Sequence, residues 1–112
     1  MTLREKQSKF AKMVAELIQH ATSLGYEVTF GEAYRTPEQA DLNAKKGSGI
    51  RNSLHTMRLA IDLNLYKNGV WLQKSEDHKQ LGLFWEGLGG SWGGRFSKPD
   101  GNHYSLSHDG VK

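Results

Sequence analysis

The chain has 112 residues, of which 37% are hydrophobic and 24% charged, with a formal net charge of +3 and a pI near 9.2. This length fits one domain with a single core, and the composition is typical of a globular rather than a disordered protein. There is no cysteine, which excludes disulfides and structural zinc sites built on thiolates.

The mildly basic charge favours approach to polyanions, either nucleic acid or an anionic cell envelope. The basic residues are scattered rather than clustered, so we expect no nucleic-acid partner. No apolar stretch reaches the roughly 20 residues that span a membrane, and the N-terminus lacks the apolar region of a secretory signal. We therefore expect no stable membrane insertion and synthesis in the cytoplasm.

The first part of the chain predicts a helix, a strand and a second helix. Gly25 suits the position just past the end of the first helix, Leu3–Ser23. The apolar residues of this helix recur at spacings of three and four: Phe10, Met13, Val14, Leu17, Ile18 and Ala21. Residues 26–34 alternate and indicate a strand. Thr36 and Pro37 then begin a helix expected to reach about residue 46.

The rest of the chain predicts a small antiparallel sheet and a third helix. Asn68-Gly69 is typical of a two-residue hairpin turn, and Ser75 is a candidate helix cap. In chain order we expect a polar loop (47–52), a strand (59–66), its return strand (70–72), a helix (76–88), a glycine-rich loop (87–94) and a last strand (103–106). Two or three helices against such a sheet predict an α+β fold, as a single domain over residues 1–112.

His55 and Asp62, seven residues apart, are the most informative pair in the sequence. Side chains alternate along a strand, so Asp62 should lie opposite the apolar face of Ile61, Leu63 and Leu65. Aspartate is depleted from strands, which favours a metal ligand over a merely exposed carboxylate. His55 must fold back from its loop onto the same face, and taken alone it also fits an ordinary loop residue.

A third histidine can complete a catalytic zinc site, because three protein ligands leave one tetrahedral position for water. His103 shares its predicted face with Ser105. It is preferred to His108, which lies in a terminal segment expected to be frayed. His20 and His78 fall in predicted helices and are expected at the surface. The predicted zinc ligands are His55, Asp62 and His103.

Asp100 has two interpretations. In Pro99-Asp100-Gly101 it fits a turn in which aspartate binds its own backbone. Three residues before His103, it is also a candidate general base, which a hydrolytic zinc site needs. Arg35 can bind a substrate carboxylate or lie at the surface.

The glycine-rich stretch at 87–94 is not a phosphate loop, because it follows a helix and lacks the Gly-Lys-Ser/Thr ending. Trp92 and Phe96 are instead candidates for the wall of a substrate cleft.

Ordered segments of the chain resemble a known family. Ser53-Leu54-His55 with Ala60-Ile61-Asp62, followed by Asp100-Gly101-Asn102-His103, is similar to the signature of the zinc DD- and LD-peptidases that cleave peptidoglycan stem peptides. These include D-Ala-D-Ala carboxypeptidases and the L-alanyl-D-glutamate peptidases of phage endolysins, which share a metal-site architecture with hedgehog-like domains. Tyr34-Arg35-Thr36 with Gln39, and Trp92-Gly93-Gly94, extend the resemblance over residues 30–104.

The resemblance implies a role for each matching residue. His55, Asp62 and His103 would bind Zn²⁺, and Asp100 would act as the catalytic base. Arg35 would contact the substrate or the developing oxyanion. Ser53 and Gln39 would bind substrate, and we add Trp92, the candidate cleft residue, to these two.

The sequence departs from the family at two positions. Many members have glycine at the position of Arg58, and the D-Ala-D-Ala dipeptidases have a glutamate base at the position of Asp100. The aspartate favours a phage-type endolysin that cuts the L-Ala–D-Glu bond. We expect a monomer that is made in the host cytoplasm and reaches the wall with help from a membrane-permeabilising partner.

Two alternatives stay open. One is a D-Ala-D-Ala carboxypeptidase with the same metal site. The other is a non-catalytic, zinc-containing domain that binds the cell wall, against which the intact Asp100 argues.

Overall fold

The computed structural model describes residues 1–46 and 53–112, so the predicted polar loop at 47–52 lies outside the described residues. Within those ranges the helices are α1 (Leu3–Ser23), α2 (Pro37–Lys45) and α3 (Lys79–Gly87). The strands are β1 (Glu27–Phe30), β2 (Ala60–Lys67), β3 (Val70–Leu72), β4 (Ser91–Trp92) and β5 (His103–Ser105). Short 3₁₀ turns cover Leu54–Met57, Ser75–His78 and Gly93–Arg95.

In the described part of the chain, five strands form an antiparallel sheet in the order β1-β2-β5-β4, with β3 also paired to β2. The central strand β2 pairs with β1 along one edge. Its other edge is divided between two strands, because β5 lies opposite residues 60–62 and β3 opposite residues 65–67.

The core lies between the helices and one face of this sheet. Ile61, Leu63 and Leu65 of β2 are buried there, whereas Asp62 and Asn64 on the other face are only half-buried. The predicted alternation along β2 is therefore confirmed. Burying each large apolar side chain contributes about 1.5–3 kcal/mol, which fixes the register of β2 and leaves its polar face available for chemistry.

The expected α+β fold is confirmed, with helices packed against a small antiparallel sheet. The first helix has the predicted bounds, and Thr2 caps it by accepting a hydrogen bond from the Glu5 N–H. None of the helices within residues 1–46 and 53–112 is both long and apolar enough to cross a membrane.

The helix predicted over 76–88 is divided into a 3₁₀ turn and α3. Ser75 does not cap it, because its hydroxyl accepts a hydrogen bond from the Gly101 N–H (2.9 Å). The prediction of a surface position for His78 is also wrong. This side chain is only 2% exposed, and its Nδ1 lies 2.7 Å from the Tyr104 hydroxyl.

The C-terminal segment is tied to the fold rather than frayed. His108 and Val111 form a β-bridge, and His108 Nδ1 lies 3.1 Å from Lys6 Nζ of α1. The strand predicted over 26–34 is shorter, because only Glu27–Phe30 pairs with β2 as a strand.

Candidate active site

Asp62 and His103 face each other across two neighbouring strands. They are direct partners in the β2–β5 ladder, so their side chains stand on the same face of the sheet. Asp62 Oδ1 lies 3.4 Å from His103 Nδ1. The register of this ladder therefore sets the distance between the carboxylate and one imidazole.

His55 reaches the same carboxylate from a 3₁₀ turn. Ser53 Oγ accepts a hydrogen bond from the His55 N–H (3.2 Å), which starts the turn, and Leu54 anchors it in the core. His55 Nε2 lies 3.4 Å from Asp62 Oδ1. The predicted fold-back of His55 onto the polar face of β2 is thus what the structure shows.

The three predicted ligands fit a zinc ion. One ligand atom from each of His55, Asp62 and His103 lies within 4.8 Å of the other two. Bonds of about 2.0–2.2 Å at tetrahedral angles put neighbouring ligand atoms roughly 3.3–3.6 Å apart, and both 3.4 Å separations at Asp62 fall in this range. Asp62 Oδ1 is buried without a hydrogen-bond partner among the described residues, so a cation would satisfy it.

Asp62 is held in the charged form that a ligand needs. Burial raises the pKa of its carboxyl, but the imidazoles of His103 and His55 more than offset burial and hold the pKa at about 2. The carboxylate is consequently ionised throughout the neutral pH range.

Asp100 lies in a turn close to Asp62 and His103. Its backbone N–H donates to the Gly93 carbonyl (2.9 Å) and its own carbonyl accepts from the His103 N–H (3.1 Å), which forms the predicted turn. Partial burial and the negative charge of Asp62 raise the pKa of its carboxyl. A raised pKa is the direction of shift that a carboxylate acting as a general base needs.

The loop that carries Asp100 is fixed through Gly101. Trp92 Nε1 donates to the Gly101 carbonyl (2.8 Å), and Ser75 Oγ accepts from its N–H (2.9 Å). Trp92 is only 6% exposed, and its ring packs so closely on Gly82 that a Cβ there would lie 2.1 Å away. The ring and N–H of Trp92 thus hold the fold together, while Trp92 and Phe96 also line a cavity of about 240 Å³. The place of Trp92 in a substrate cleft stays a prediction.

Glu32 is a site residue that the sequence pattern did not identify. It follows β1, and its Oε1 lies 3.6 Å from His55 Nδ1 and 2.5 Å from Arg35 Nη2. The ring nitrogen of His55 that faces away from Asp62 thus lies within ion-pair distance of a carboxylate, but the two atoms are not hydrogen-bonded. A carboxylate on this side of a histidine is what commonly orients a metal ligand. In the sequence, Glu32 is marked only by its position three residues before Arg35. An acid at that spacing from an arginine is too common to identify a site residue.

Arg35 lies beside the site but is already engaged. Its backbone N–H donates to the His55 carbonyl (3.2 Å), and its guanidinium pairs with Glu32 and is 16% exposed. Its Nε is buried without a hydrogen-bond partner among the described residues. Arg35 therefore supports the His55 turn and keeps a donor for a further contact.

Comparison with known proteins identifies the family. Residues 46–106, more than half of the chain, match the model of a family described as D-alanyl-D-alanine carboxypeptidase. The chain belongs to this family. Membership confirms the resemblance to the zinc DD- and LD-peptidases of peptidoglycan. No curated protein matches the chain.

A solved structure shares the fold of this D-alanyl-D-alanine carboxypeptidase family member. The L-Ala D-Glu endopeptidase ChiX of Serratia marcescens superposes with a TM-score of 0.69 at 21% identity, over 87% of this chain and 79% of ChiX. This likeness confirms the expected DD-peptidase-like fold.

Two other predicted substrate contacts have structural partners in this family member. Ser53 is buried and its hydroxyl is used by the His55 N–H. Gln39 lies in α2, where its exposed side chain donates to Asn43 (2.7 Å). Among the described residues, no contact joins Gln39 to His55, Asp62 or His103. Phe96 does reach them, with its ring 5.3 Å from that of His103.

The arginine that departs from the family pattern has a structural explanation. Arg58 ends the 3₁₀ turn with φ 56° and ψ 37°, a left-handed conformation that glycine adopts without strain. Its guanidinium lies 4.0 Å from the centre of the Tyr34 ring. A cation–π contact thus offsets part of the cost of placing a side chain in a conformation that favours glycine.

Proposed function

We propose that this family member is a zinc-dependent endopeptidase of the phage-endolysin type, which hydrolyses the L-Ala–D-Glu bond of peptidoglycan stem peptides. The observation that carries the proposal is Asp62 Oδ1, which lies 3.4 Å from two imidazole nitrogens, with the Asp100 carboxyl close by. This oxygen is buried and has no hydrogen-bond partner in the described part of the chain. ChiX, which shares the fold, is an L-Ala D-Glu endopeptidase, and this supports the choice of bond.

His55, Asp62 and His103 would hold the zinc ion. When bound, zinc would supply Lewis-acid polarisation of the scissile carbonyl and lower the pKa of water to about 7. The fold prepares these ligands beforehand, since β2–β5 pairing sets His103 and the capped turn sets His55. Little conformational entropy therefore has to be lost when the site is filled.

Asp100 would act as the general base, taking a proton from the attacking water and passing it to the leaving amine. Its raised pKa supports this role, because a weakly acidic carboxyl both accepts and returns a proton more readily near neutral pH. Arg35 would contact the substrate or the developing oxyanion through its unpartnered Nε–H.

A D-Ala-D-Ala carboxypeptidase is the second candidate, and the description of the matching family favours it. Both candidates need the same metal ligands and the same base, so the site chemistry alone does not separate them. A non-catalytic wall-binding domain would have no need for the Asp100 carboxyl beside the ligands. As an endolysin the protein would act as a monomer on the cell wall, after a separate partner had permeabilised the membrane.

The products released from purified peptidoglycan test this proposal. We expect new N-terminal D-Glu, about one zinc per chain and loss of hydrolysis with a chelator. Free D-Ala without new D-Glu termini would assign the carboxypeptidase instead. Undiminished hydrolysis after the metal has been stripped would exclude the zinc mechanism for either candidate.

A further inference from the structure

A cavity of about 240 Å³ adjoins the candidate active site at a gap in the sheet. It opens where β2 ends its pairing with β5 and begins its pairing with β3. Among the described residues, no strand pairs with residues 63 and 64 on that edge. The Leu63 N–H there donates to the Asn102 carbonyl (2.9 Å) instead. Asp100 is part of the cavity wall, which places the cavity directly beside the proposed base.

The wall is rich in neutral polar groups that the fold does not use. Within residues 1–46 and 53–112, the side-chain amides of Asn64, Gln73 and Asn102 have no hydrogen-bond partner, although all three line the cavity. Each amide can donate and accept. Such groups match a ligand with several hydroxyl or acetamido groups.

An exposed aromatic ring stands at the edge of the same cavity. Trp71 is 50% exposed and is the direct partner of Tyr66 across the β2–β3 ladder. Because residues 62, 64 and 66 share one face of β2, Trp71 stands on the face that carries Asp62. Its ring offers the flat apolar surface on which the C–H face of a sugar packs.

The distances suit a sugar in the proposed substrate. In peptidoglycan one residue, L-Ala, separates the proposed scissile bond from the lactyl group of the sugar strand. That residue spans about 3.3–3.6 Å, so the first sugar ring begins within roughly 7 Å of the scissile carbonyl. Asn64 follows Asp62 by a similar distance, about 7 Å along β2. Trp71 lies opposite Tyr66, which is two residues beyond Asn64 on the same strand.

We infer that this cavity binds the N-acetylated muramyl sugar at the head of the stem peptide, and that Trp71 is a specificity-determining residue. The inference rests on the proposed cleavage of L-Ala–D-Glu. A substrate carboxylate fits less well, because Lys74 and Asp100 both line the cavity and their opposite charges offset each other. The other polar groups named above are neutral.

Cleavage of two matched substrates tests the inference. One is a muropeptide that keeps its disaccharide, and the other is the same stem peptide without sugar. The wild-type protein should cut the muropeptide with the higher kcat/KM. Trp71→Ala should lower the ratio of the two kcat/KM values roughly three- to tenfold. Val70→Ala, which alters an exposed residue on the opposite face of β3, should keep the wild-type ratio.

Other ratios contradict the inference. If the ratio of the two kcat/KM values is near one in the wild-type protein, or is unchanged in Trp71→Ala, the cavity does not bind the sugar. If Lys74→Gln lowers both rates equally while Trp71→Ala keeps the ratio, the cavity binds a carboxylate. Release of D-Glu termini from both substrates in any of these cases would leave the proposed function standing. Absence of D-Glu termini from both would reject the proposed function itself.

Direct binding gives an independent measurement that needs no turnover. N-acetylmuramyl-L-alanine should shift the indole N–H resonance of Trp71, which Trp71→Ala identifies among the three tryptophans. N-acetyl-L-alanine, the same ligand without sugar, should cause a smaller shift. Equal shifts with both ligands, or none with either, would overturn the inference.

Discussion

Asp62 Oδ1 lies within 3.4 Å of a ring nitrogen of both His55 and His103, and Asp100 is the proposed general base beside it. Asp100→Ala should leave about one zinc per chain, because none of the three ligand atoms belongs to it. Hydrolysis should fall about 10²–10⁴-fold, the usual contribution of a positioned general base. Metal content and kcat on the same preparation check this, and full activity would return Asp100 to a turn role alone.

We expect Glu32 to influence zinc binding through its contact with His55. Glu32→Gln should weaken zinc affinity about 10–100-fold, the usual cost of removing a carboxylate that orients a metal-binding histidine. Competition with a chromophoric chelator measures this without any substrate. Glu27→Gln, an exposed acid at the start of β1, is the matched control and should keep the wild-type affinity. Equal affinities in the two variants would make Glu32 only a partner of Arg35.

Two substitutions at Arg58 separate the stabilising contact with Tyr34 from the cost of the left-handed backbone. Arg58→Ala loses the contact with Tyr34 but keeps the left-handed backbone, so it should be destabilised by about 0.5–1 kcal/mol. Arg58→Gly loses the same contact but relieves the strain. It should therefore be about 1 kcal/mol more stable than Arg58→Ala. Urea unfolding of the three proteins measures both differences, and equal stability of the two variants would show that the turn stores no strain.

At the scale of elements, Gly93 controls how closely the Asp100 loop approaches the sheet. A Cβ at Gly93 would lie 2.2 Å from the Asp100 carbonyl oxygen and 2.8 Å from His103 Cβ. Moving either atom would displace Asp100, the proposed base, or His103, a proposed zinc ligand. Gly93→Ala should thus lower both zinc affinity and stability by more than 1 kcal/mol, at the damaging end of ordinary substitutions.

Gly87 supplies the control for this prediction. It ends α3, and a Cβ there would meet nothing within 4 Å. Gly87→Ala should be neutral or slightly stabilising, because alanine loses less backbone entropy than glycine in a helix. Calorimetry and zinc titration on both variants check the pair. Normal zinc binding in Gly93→Ala would mean that the loop tolerates a wider spacing.

Elements with a strong local pattern could be predicted from the sequence. The amphipathic stripe of α1 gave its bounds, and alternation along β2 placed Asp62 on the polar face. His78 was misplaced at the surface, because its burial depends on Tyr104, which is distant in sequence. Glu32 was missed for the same reason, since only folding of the 53–57 turn brings His55 to it.

The site itself was easier to predict than its surroundings. Metal ligands must be histidines and acids at compatible spacings, so chemistry restricts the candidates even without a structure. The cavity beside Asp100 had no such signal. It arises because two short strands share one edge of β2, and no segment of the sequence encodes that gap by itself.

At the scale of the whole molecule, His78 makes stability depend on pH. Burial lowers the pKa of His78 to about 4, against 6.5 in an unfolded chain, although the Asp77 charge raises it slightly. Between these values the unfolded chain takes up a proton and the folded chain does not. The contribution of neutral His78 is therefore complete above pH 6.5 and is lost as the pH falls toward 4.

The loss at pH 4 should be on the order of 3 kcal/mol, since the folded and unfolded pKa values differ by about 2.5 units. His78→Asn keeps a side chain able to hydrogen-bond Tyr104 but cannot take up this proton. Urea unfolding at pH 7 and pH 4.5 should therefore show a smaller fall in stability for His78→Asn than for the wild-type protein. Metal release and the titration of Asp100 also change stability at low pH, but they do so equally in both proteins. They therefore cancel when the two falls in unfolding free energy are compared. Equal falls would show that His78 is protonated as easily in the fold as in the unfolded chain.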